Sequence, residues 1–306
     1  MKTKILFLVL ILSGYVSTAQ QDAQYTQYMY NTINVNPAYA GSRDVMSIFG
    51  LHRTQWLGLD GAPVTNAFSI NSPINDTKLG IGVSLVNDRI GPTTQTDISG
   101  DVSYTIKTSE NYHLSFGIKA SANLFSLDKS KLNIYDPNEL FLMNLNNYFT
   151  PNFGVGIYYH SDNGYLGLSV PHLFNSKKYS DNDLQIYAQT MNVYLIGGYV
   201  FNLNSNLKFK PSFLAKVVEG APLQVDLSGN FLFNEKFVLG AAYRWSAAAS
   251  LMAGFHISDQ MFIGYGYDLE STKLNRYNSG SHELFLRFEF NKTSLGRSKC
   301  QCPRFF

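Results

Sequence analysis

Apolar and polar residues alternate with a period of two in many short segments after residue 45. In 79–85, Leu, Ile, Val and Leu alternate with Gly, Gly and Ser, and the same pattern recurs in 114–123 and 284–290. Successive side chains of a β-strand point to opposite faces. The pattern therefore predicts strands with one apolar face and one face of small, polar or charged residues, and an all-β chain.

About fourteen such strands are predicted along the chain. Their spans are 45–53, 64–72, 79–88, 95–107, 111–124, 150–160, 164–170, 186–202, 207–217, 222–233, 237–246, 248–257, 260–268 and 281–290. The connections mostly alternate between long and short, as expected when every second connection lies at the same end of a barrel. The predicted long connections include 87–94, 125–149 and 171–183. The tight connection 245–248 breaks the alternation, so the count is defined only to within one hairpin.

Two architectures accommodate an apolar strand face, which points to the core of a soluble sandwich or to lipid around a barrel. The segments of about 8–12 residues match tilted membrane strands. Gly recurs on the polar face, where it benefits tight interior packing more than a solvated surface. Aromatic residues that collect near strand ends, as in interfacial girdles, are Tyr104, Tyr158, Tyr159, Tyr199, Phe201, Tyr243, Trp245, Tyr265 and Tyr267. These features favour a closed antiparallel transmembrane β-barrel of the outer membrane, which pairs all backbone groups between strands.

Residues 1–19 have the features of a secretory signal peptide. Lys2 and Lys4 precede an apolar run at 5–12 that is too short to span a bilayer, and Ser17, Thr18 and Ala19 are small enough for a cleavage site. Cleavage after Ala19 and location in the cell outer membrane are predicted. The predicted parts are a signal peptide at 1–19, an N-terminal segment at 20–44, the barrel at 45–290 and a periplasmic C-terminal tail at 291–306.

The segment at 24–33 is predicted to form a short amphipathic helix. Its apolar residues at helical spacing are Tyr25, Tyr28, Met29 and Ile33. The pair Asn36–Pro37 ends it, because Pro disfavours helix for the residue before it. The segment is either a tail that covers a barrel end or a lumenal plug and partner-docking element. Both interpretations place it at the periplasmic side of the barrel.

Charge and motif content point away from nucleic acid binding and catalysis. Lys plus Arg number 24 against 22 Asp plus Glu, a formal net charge of +2, without the clustered basic residues of a nucleic-acid partner. The sequence contains no HExxH, no GxSxG and no P-loop, and its six His are scattered. We therefore predict that the protein is not an enzyme and has no cofactor and no metal site.

Charged residues are also predicted on the lumenal face. The cations are Lys119, Lys208, Lys210, Lys216, Arg244 and Arg287, and the anions are Asp97, Asp101, Asp226, Glu283 and Glu289. They form either a selectivity surface or a mutually neutralising set inside a small barrel, and we favour neutralisation. Separately, Cys300 and Cys302 in the tail are spaced C-x-C. They are either incidental or take part in a strained or intermolecular disulfide, because neighbours at this spacing point apart in an extended chain.

Three ordered motifs near the N-terminus, QYTQYMYN, NPAYAGSRD and RTQWLGLDGAP, and a terminal PRFF resemble the PorP/SprF family. The resemblance implies a non-catalytic outer-membrane component of the type IX secretion and gliding-motility machinery that supports export or surface attachment of secreted proteins. It implies partners among periplasmic and outer-membrane secretion proteins, a secreted cargo and membrane lipid. The motif positions that would contact partners are Tyr25, Gln27, Tyr28, Asn31, Asn36, Pro37, Gly41, Arg53, Gln55, Trp56, Gly61 and Pro63.

Two other functions remain open at this point. A fourteen-stranded barrel with an N-terminal insert also resembles long-chain fatty-acid transporters, which would make the protein a channel for small apolar molecules. The predicted inward positions are mostly Gly, Ser, Asn and Lys, which speaks against an apolar lumen. The third alternative is a soluble periplasmic sandwich, which would fractionate without detergent.

Overall fold

Strands make up most of the described chain, which comprises residues 24–75, 77–131, 145–179 and 185–290 of a computed structural model. The strands are β1 Met46–Thr54, β2 Val64–Pro73, β3 Leu79–Ile90, β4 Thr93–Lys107, β5 His113–Leu127, β6 Leu145–His160, β7 Gly164–Val170, β8 Ser176–Tyr179, β9 Gln185–Gln189, β10 Asn192–Tyr199, β11 Phe201–Asn204, β12 Leu207–Val218, β13 Gln224–Phe233, β14 Phe237–Arg244, β15 Ala248–His256, β16 Met261–Glu270 and β17 Ser281–Phe290. The helical structure of the described residues is limited to α1 Thr32–Val35 and the 3-10 turns Tyr28–Tyr30, Pro37–Tyr39, Lys129–Lys131 and Lys273–Arg276. Within these ranges no helix has the length and apolar character needed to cross a membrane.

The strands form a closed antiparallel barrel. Each wall strand pairs with the next along the chain, and β1 pairs with β17 to close the ring. β10 and β11 lie in one register on β12, with Gly198 opposite Ser212 and Phe201 opposite Phe209, so they are two parts of one wall strand interrupted opposite Pro211. The wall therefore has fourteen strands, as predicted, and β8 and β9 form a separate hairpin.

The apolar strand face points away from the lumen, as predicted for a barrel in lipid. Leu227 is 52% exposed whereas its neighbour Ser228 is 8% exposed, and the same alternation runs through the wall strands. One predicted girdle residue was misplaced. Tyr158 is 1% exposed and faces the lumen, while Tyr159 faces outward, because adjacent residues of a strand cannot share a face.

Four boundary predictions were wrong. The predicted connection 125–149 is shorter, because the β5–β6 ladder continues to Leu127 and Leu145, and the predicted connection 171–183 contains β8. The predicted long connection 87–94 is a two-residue turn at Gly91 and Pro92, since the polar residues before and after it continue the β3–β4 ladder. The predicted strand 186–202 is divided, because β9 pairs with β8 outside the wall and the wall strand starts at Asn192. The tight turn between β14 and β15 adds no hairpin, so the strand count is unaffected.

The two ends of the barrel differ, and we name them after the chain segments that lie there. The terminal end contains Met46, where β1 starts, and Phe290, where β17 stops, together with the short connections 108–112 and 161–163. The loop end contains the long connections 55–63 and 271–280. In barrels of the outer membrane the longer connections are extracellular and the short turns are periplasmic.

The facing of the strands gives a matched pair of substitutions on β4. Ile98 is 43% exposed on the outer face, and Gln95 lines a lumenal cavity beside Asp97. Ile98→Arg should destabilise the barrel by about 2–4 kcal/mol, the cost of a cation on the lipid face near the bilayer midplane. Gln95→Arg should be much milder, because its charge enters a polar lumen. Heat-modifiable gel migration of the two variants measures this, and equal damage would contradict the assigned facing.

Candidate functional site

The N-terminal residues 24–44, here called the plug, run through the lumen from one end of the barrel to the other. At the loop end the Gln24 side chain donates to Gln224 at 3.2 Å. Towards the terminal end the hydroxyl of Ser103 donates to the carbonyl of Ala40 at 2.7 Å, after which the chain turns into β1. The segment was predicted to lie at the periplasmic side only. It occupies the length of the lumen instead, because its start is bonded at the loop end.

The plug contacts the wall on all sides near its middle. Ser69 of β2 donates to Asn31, Lys119 of β5 donates to the carbonyl of Ile33, and Ser169 of β7 donates to that of Val35. The opposite side of the plug faces β16 and β17, where Tyr30 contacts the rings of Phe262 and Phe285. Ile33 is 0% exposed. The plug therefore fills the cross-section of the lumen at this level.

The predicted helix at 24–33 does not form as a single element. The structure has a 3-10 turn at Tyr28–Tyr30 and the four-residue α1 at Thr32–Val35. An amphipathic helix requires one side facing water, whereas these residues are enclosed by the wall. The backbone N–H groups of Thr26 and Gln27 donate to the carboxylate of Glu283, each at 2.9 Å, so the wall supplies partners that a helix would supply itself.

A buried charge cluster, here the Arg53 cluster, joins the plug to the wall near the loop end. Arg53 of β1 contacts Asp268 of β16 at 2.7 Å and Glu283 of β17 at 3.1 Å. The hydroxyl of Thr26 donates to Asp268 at 2.6 Å and accepts from Arg53 at 2.7 Å. All four residues are at most 3% exposed. Removing one partner from such a cluster leaves uncompensated buried charge, which is strongly destabilising.

A second cluster lies near the terminal end of the lumen. Arg43 of the plug donates to Glu289 at 2.6 Å, and Arg287 contacts the same carboxylate at 3.3 Å. The ring of Tyr30 stacks on Phe285 with centroids 4.9 Å apart, and the guanidinium of Arg287 lies 5.8 Å from the Tyr30 ring centroid. Ion pairs and aromatic contacts thus act on the same side of the plug.

Most of the lumenal charges that the sequence predicts are paired. Lys119 contacts Asp101 at 3.3 Å and Arg244 contacts Asp226 at 3.0 Å. Lys208 was also predicted to belong to this lumenal set. It pairs instead at 2.5 Å with Glu235, which lies in the turn between β13 and β14. This pairing agrees with mutual neutralisation rather than with a selectivity surface. The predicted lumenal set did not include Arg43 and Asp268, and Arg53 was named only as a motif position. The alternation of faces along β16 could have assigned Asp268 to the lumenal face.

Glycines of the wall form the surface on which the NPAYAG motif rests. This glycine seat consists of Gly80, Gly117, Gly156 and Gly167. A Cβ at Gly117 would overlap the backbone at Ala38, and a Cβ at Gly156 would overlap the side chain of Asn36. Asn36 in turn donates to the carbonyl of Ile157 at 2.9 Å and accepts from the N–H of Ala38 at 3.0 Å. Only glycines allow the plug backbone to approach the wall this closely.

A cavity of about 100 Å³ remains above the plug at the loop end. Its charged lining residues are Asp88, Asp97, Lys119, Lys216, Asp226 and Arg244, and aromatic residues of the lining include Tyr25, Tyr28 and Tyr194. In the described parts of the chain, no group of three or more His, Cys, Asp or Glu side chains is arranged to hold a metal ion. We call this cavity the vestibule, and both charged and aromatic side chains line it.

The predicted partner-contact residues separate into two groups in the structure. The buried ones are Gln27, Tyr28, Asn31, Asn36, Pro37, Gly41, Arg53 and Pro63. Tyr25, Gln55 and Trp56 are half-buried, and Gly61 is exposed. Trp56 donates from its indole nitrogen to Glu270 at 2.9 Å, which joins the connection 55–63 to the end of β16. The buried group forms contacts within the chain, and partner binding by either group stays a prediction. The signal peptide, the C-terminal tail, Cys300 and Cys302 lie outside the described residues.

The glycine seat yields a second matched pair of substitutions, on neighbouring strands. Gly117→Ala should destabilise the protein by about 1–3 kcal/mol, the usual cost of overpacking, because the new methyl group meets the plug backbone. Gly100→Ala should have little effect, since a Cβ there meets nothing within 4 Å. Urea unfolding of both variants in the same detergent measures the difference. Equal stability of the two variants would show that the plug does not rest on Gly117.

Solved structures show the same fold at very low sequence identity. The Pseudomonas putida toluene transporter TodX superposes with a TM-score of 0.52 at 7% identity, covering 90% of this chain and 99% of that chain. The CymD monoaromatic hydrocarbon channel superposes with a TM-score of 0.51 at 10% identity, covering 87% and 93%. At such identities the likeness shows the fold alone.

No curated protein sequence matches the chain significantly. Residues 17–288 match the family described as "Type IX secretion system membrane protein PorP/SprF", and this range includes the plug, the glycine seat and nearly all of the barrel wall. The chain therefore belongs to the PorP/SprF family of type IX secretion system membrane proteins.

Proposed function

We propose that this protein is a plugged, non-catalytic barrel of the outer membrane that supports export or surface attachment of secreted proteins by the type IX secretion and gliding-motility machinery. Family membership supports the secretion role. The observation that carries the finer proposal is the plug, whose residues Ile33, Asn36 and Ala38 are each 0% exposed in the middle of the lumen. A barrel filled in this way suits a docking platform better than a conduit.

The energetics of the plug support a platform. Withdrawing it would leave Glu283 without the two backbone N–H groups that it accepts from Thr26 and Gln27, and Glu289 without Arg43. Each buried carboxylate would then lose charge-assisted hydrogen bonds in a low-dielectric interior, which costs several kcal/mol. In this proposal the cargo does not cross the membrane through this lumen, and the protein holds other components in place.

Partner contacts in this proposal fall on the motif positions that are half-buried or exposed at the loop end. Gln55, Trp56 and Gly61 lie in the connection 55–63 at the loop end, and Leu57 in the same connection is 45% exposed. The buried motif positions have a different role, which is to hold the plug. Periplasmic components would contact the terminal end, where the short turns and the exposed Asp44 lie.

The alternative is an outer-membrane channel for small apolar molecules. TodX and CymD share the fold, but the vestibule of this chain is lined by three Asp, two Lys and one Arg. An apolar solute in this vestibule would take water away from these charged groups without pairing them, which is unfavourable.

Deleting residues 24–34 tests the role of the plug. The wall ladder does not include these residues, so the barrel should still assemble, and Arg53 keeps both of its carboxylate partners. We expect a folded barrel in the outer membrane that is less stable than the wild type, because Glu283 loses the N–H groups of Thr26 and Gln27, while cargo at the cell surface is lost. Heat-modifiable migration measures the first quantity and surface immunolabelling the second. Normal cargo display by a stably inserted deletion variant would refute the role of the plug in export.

The orientation of the barrel is tested by cysteine labelling in a background with Cys300→Ser and Cys302→Ser. Tyr277→Cys, at a loop-end position that is 69% exposed, should react with an impermeant maleimide on intact cells. Glu110→Cys, in a terminal-end turn, should react only after the outer membrane is opened. In the unsubstituted protein, Cys300 and Cys302 should likewise react only after the outer membrane is opened. Labelling of Glu110→Cys on intact cells would invert the proposed orientation.

A further inference from the structure

The charges of the vestibule balance as a whole, but they are separated across the barrel. The strands β3, β4 and β5 lie next to one another in the ring of fourteen, and β12, β13 and β14 lie on the opposite side of that ring. The six charged lining residues divide between these sides into Asp88, Asp97 and Lys119 on the first and Lys216, Asp226 and Arg244 on the second. One side of the vestibule therefore has more carboxylates, and the other has more cations.

Two carboxylates of the first side lie close together. In the β3–β4 ladder Asp88 is opposite Gln95, and Asp97 is opposite Val86. Asp88 and Asp97 are therefore diagonal neighbours on one face of the ladder, at a separation of about 7–8 Å. Two carboxylates in this arrangement can both accept hydrogen bonds from one ammonium group that lies between them, since an ammonium group has three donors.

The cations on this side already have carboxylate partners of their own. Lys119 contacts Asp101 at 3.3 Å. Arg53, whose charge also acts on Asp88, contacts two carboxylates of the Arg53 cluster. Carboxylates consequently outnumber cations on this side, which carries a net negative charge.

On the second side two cations share one carboxylate. Arg244 contacts Asp226 at 3.0 Å. Lys216 is opposite Gln224 in the β12–β13 ladder, so it is a diagonal neighbour of Asp226 on the same face. The ammonium group of Lys216 also lies 5.6 Å from the centroid of the Tyr194 ring. This side of the vestibule carries a net positive charge and can bind an anionic group.

The size and exposure of the vestibule limit what it can bind. Asp88, Asp97 and Arg244 are half-buried, so water and small solutes reach them. An apolar cavity of about 150 Å³ binds benzene, so a cavity of about 100 Å³ admits a molecule of about five or six heavy atoms. The plug closes the lumen beneath, which makes the vestibule a place of binding rather than of passage.

We propose that the vestibule binds a small zwitterion of the free amino acid class. The ammonium group of the ligand donates to Asp88 and Asp97, and its carboxylate accepts from Lys216 and Arg244. Each end of the ligand forms charge-assisted hydrogen bonds with the side of opposite charge. An ion of a single sign satisfies only one side, so the separation of charge selects for zwitterions. This binding is independent of the proposed role in secretion.

Saturation-transfer NMR of the full-length protein, purified from outer membranes in a mild detergent, tests this proposal with glycine and β-alanine as probes. Acetate and methylammonium, which each carry one of the two charges, are titrated in parallel. Asp97→Asn removes a charge from the first side, and Lys216→Gln removes one from the second. Asp259→Asn and Lys78→Gln make the same chemical changes at exposed positions in connections of the terminal end, so they are matched controls. Heat-modifiable migration confirms that each variant is folded.

At least one zwitterion should bind the wild type saturably, and acetate and methylammonium should bind more weakly. Asp97→Asn and Lys216→Gln should each weaken the binding of the zwitterion roughly tenfold, the effect of losing a hydrogen bond to a charged group, while both controls keep the affinity of the wild type. The proposal is overturned if neither zwitterion binds saturably, if acetate or methylammonium binds as tightly as the zwitterion, or if folded Asp97→Asn or Lys216→Gln binds like the wild type. An equal loss in either control would overturn the assigned site.

Discussion

The rest of the structure depends on one constraint, which is that every backbone polar group inside a bilayer must be paired. A closed ladder satisfies it, and the pairing of β1 with β17 completes that ladder here. Closure also fixes the width of the lumen. Side chains alone fill a barrel of roughly eight strands, so fourteen strands leave space that this chain fills with its own N-terminal residues. The plug is thus a consequence of strand number as well as a candidate device for function.

Filling a lumen with backbone creates polar groups that need partners, and the wall provides them. Glu283 accepts from two plug N–H groups, Ser169 and Lys119 donate to plug carbonyls, and glycines let the NPAYAG motif approach the wall. The Arg53 cluster adds specificity, because its charges are satisfied only when Thr26 is in place. Wall and plug therefore stabilise each other, although the wall pairs its strands without the plug.

The sequence predicted the features that depend on local period and missed those that depend on three-dimensional enclosure. Alternation located all fourteen wall strands and the facing of Leu227. It could not show that 24–33 would be surrounded on all sides, so helical spacing gave the wrong element. Polar residues at 87–94 resembled a loop, yet in a barrel polar residues beyond the membrane continue a ladder as readily as they end it. Tyr158 was assigned to the girdle because it is aromatic and lies near a strand end, although it and its neighbour Tyr159 cannot share a face.

The location of the motif residues limits what a family motif says about binding. Eight of the twelve predicted contact positions are buried, and their partners in the structure include Glu283, Ser69 and the glycine seat. An interaction partner reaches them only by displacing the plug, at the expense of the buried ion pairs. Trp56 and its neighbours need no such displacement. The same stretch of sequence therefore contains two groups of residues, one that holds the plug in the lumen and one that lies at the surface of the loop end. A variant that displaces the plug does not test partner binding at Trp56.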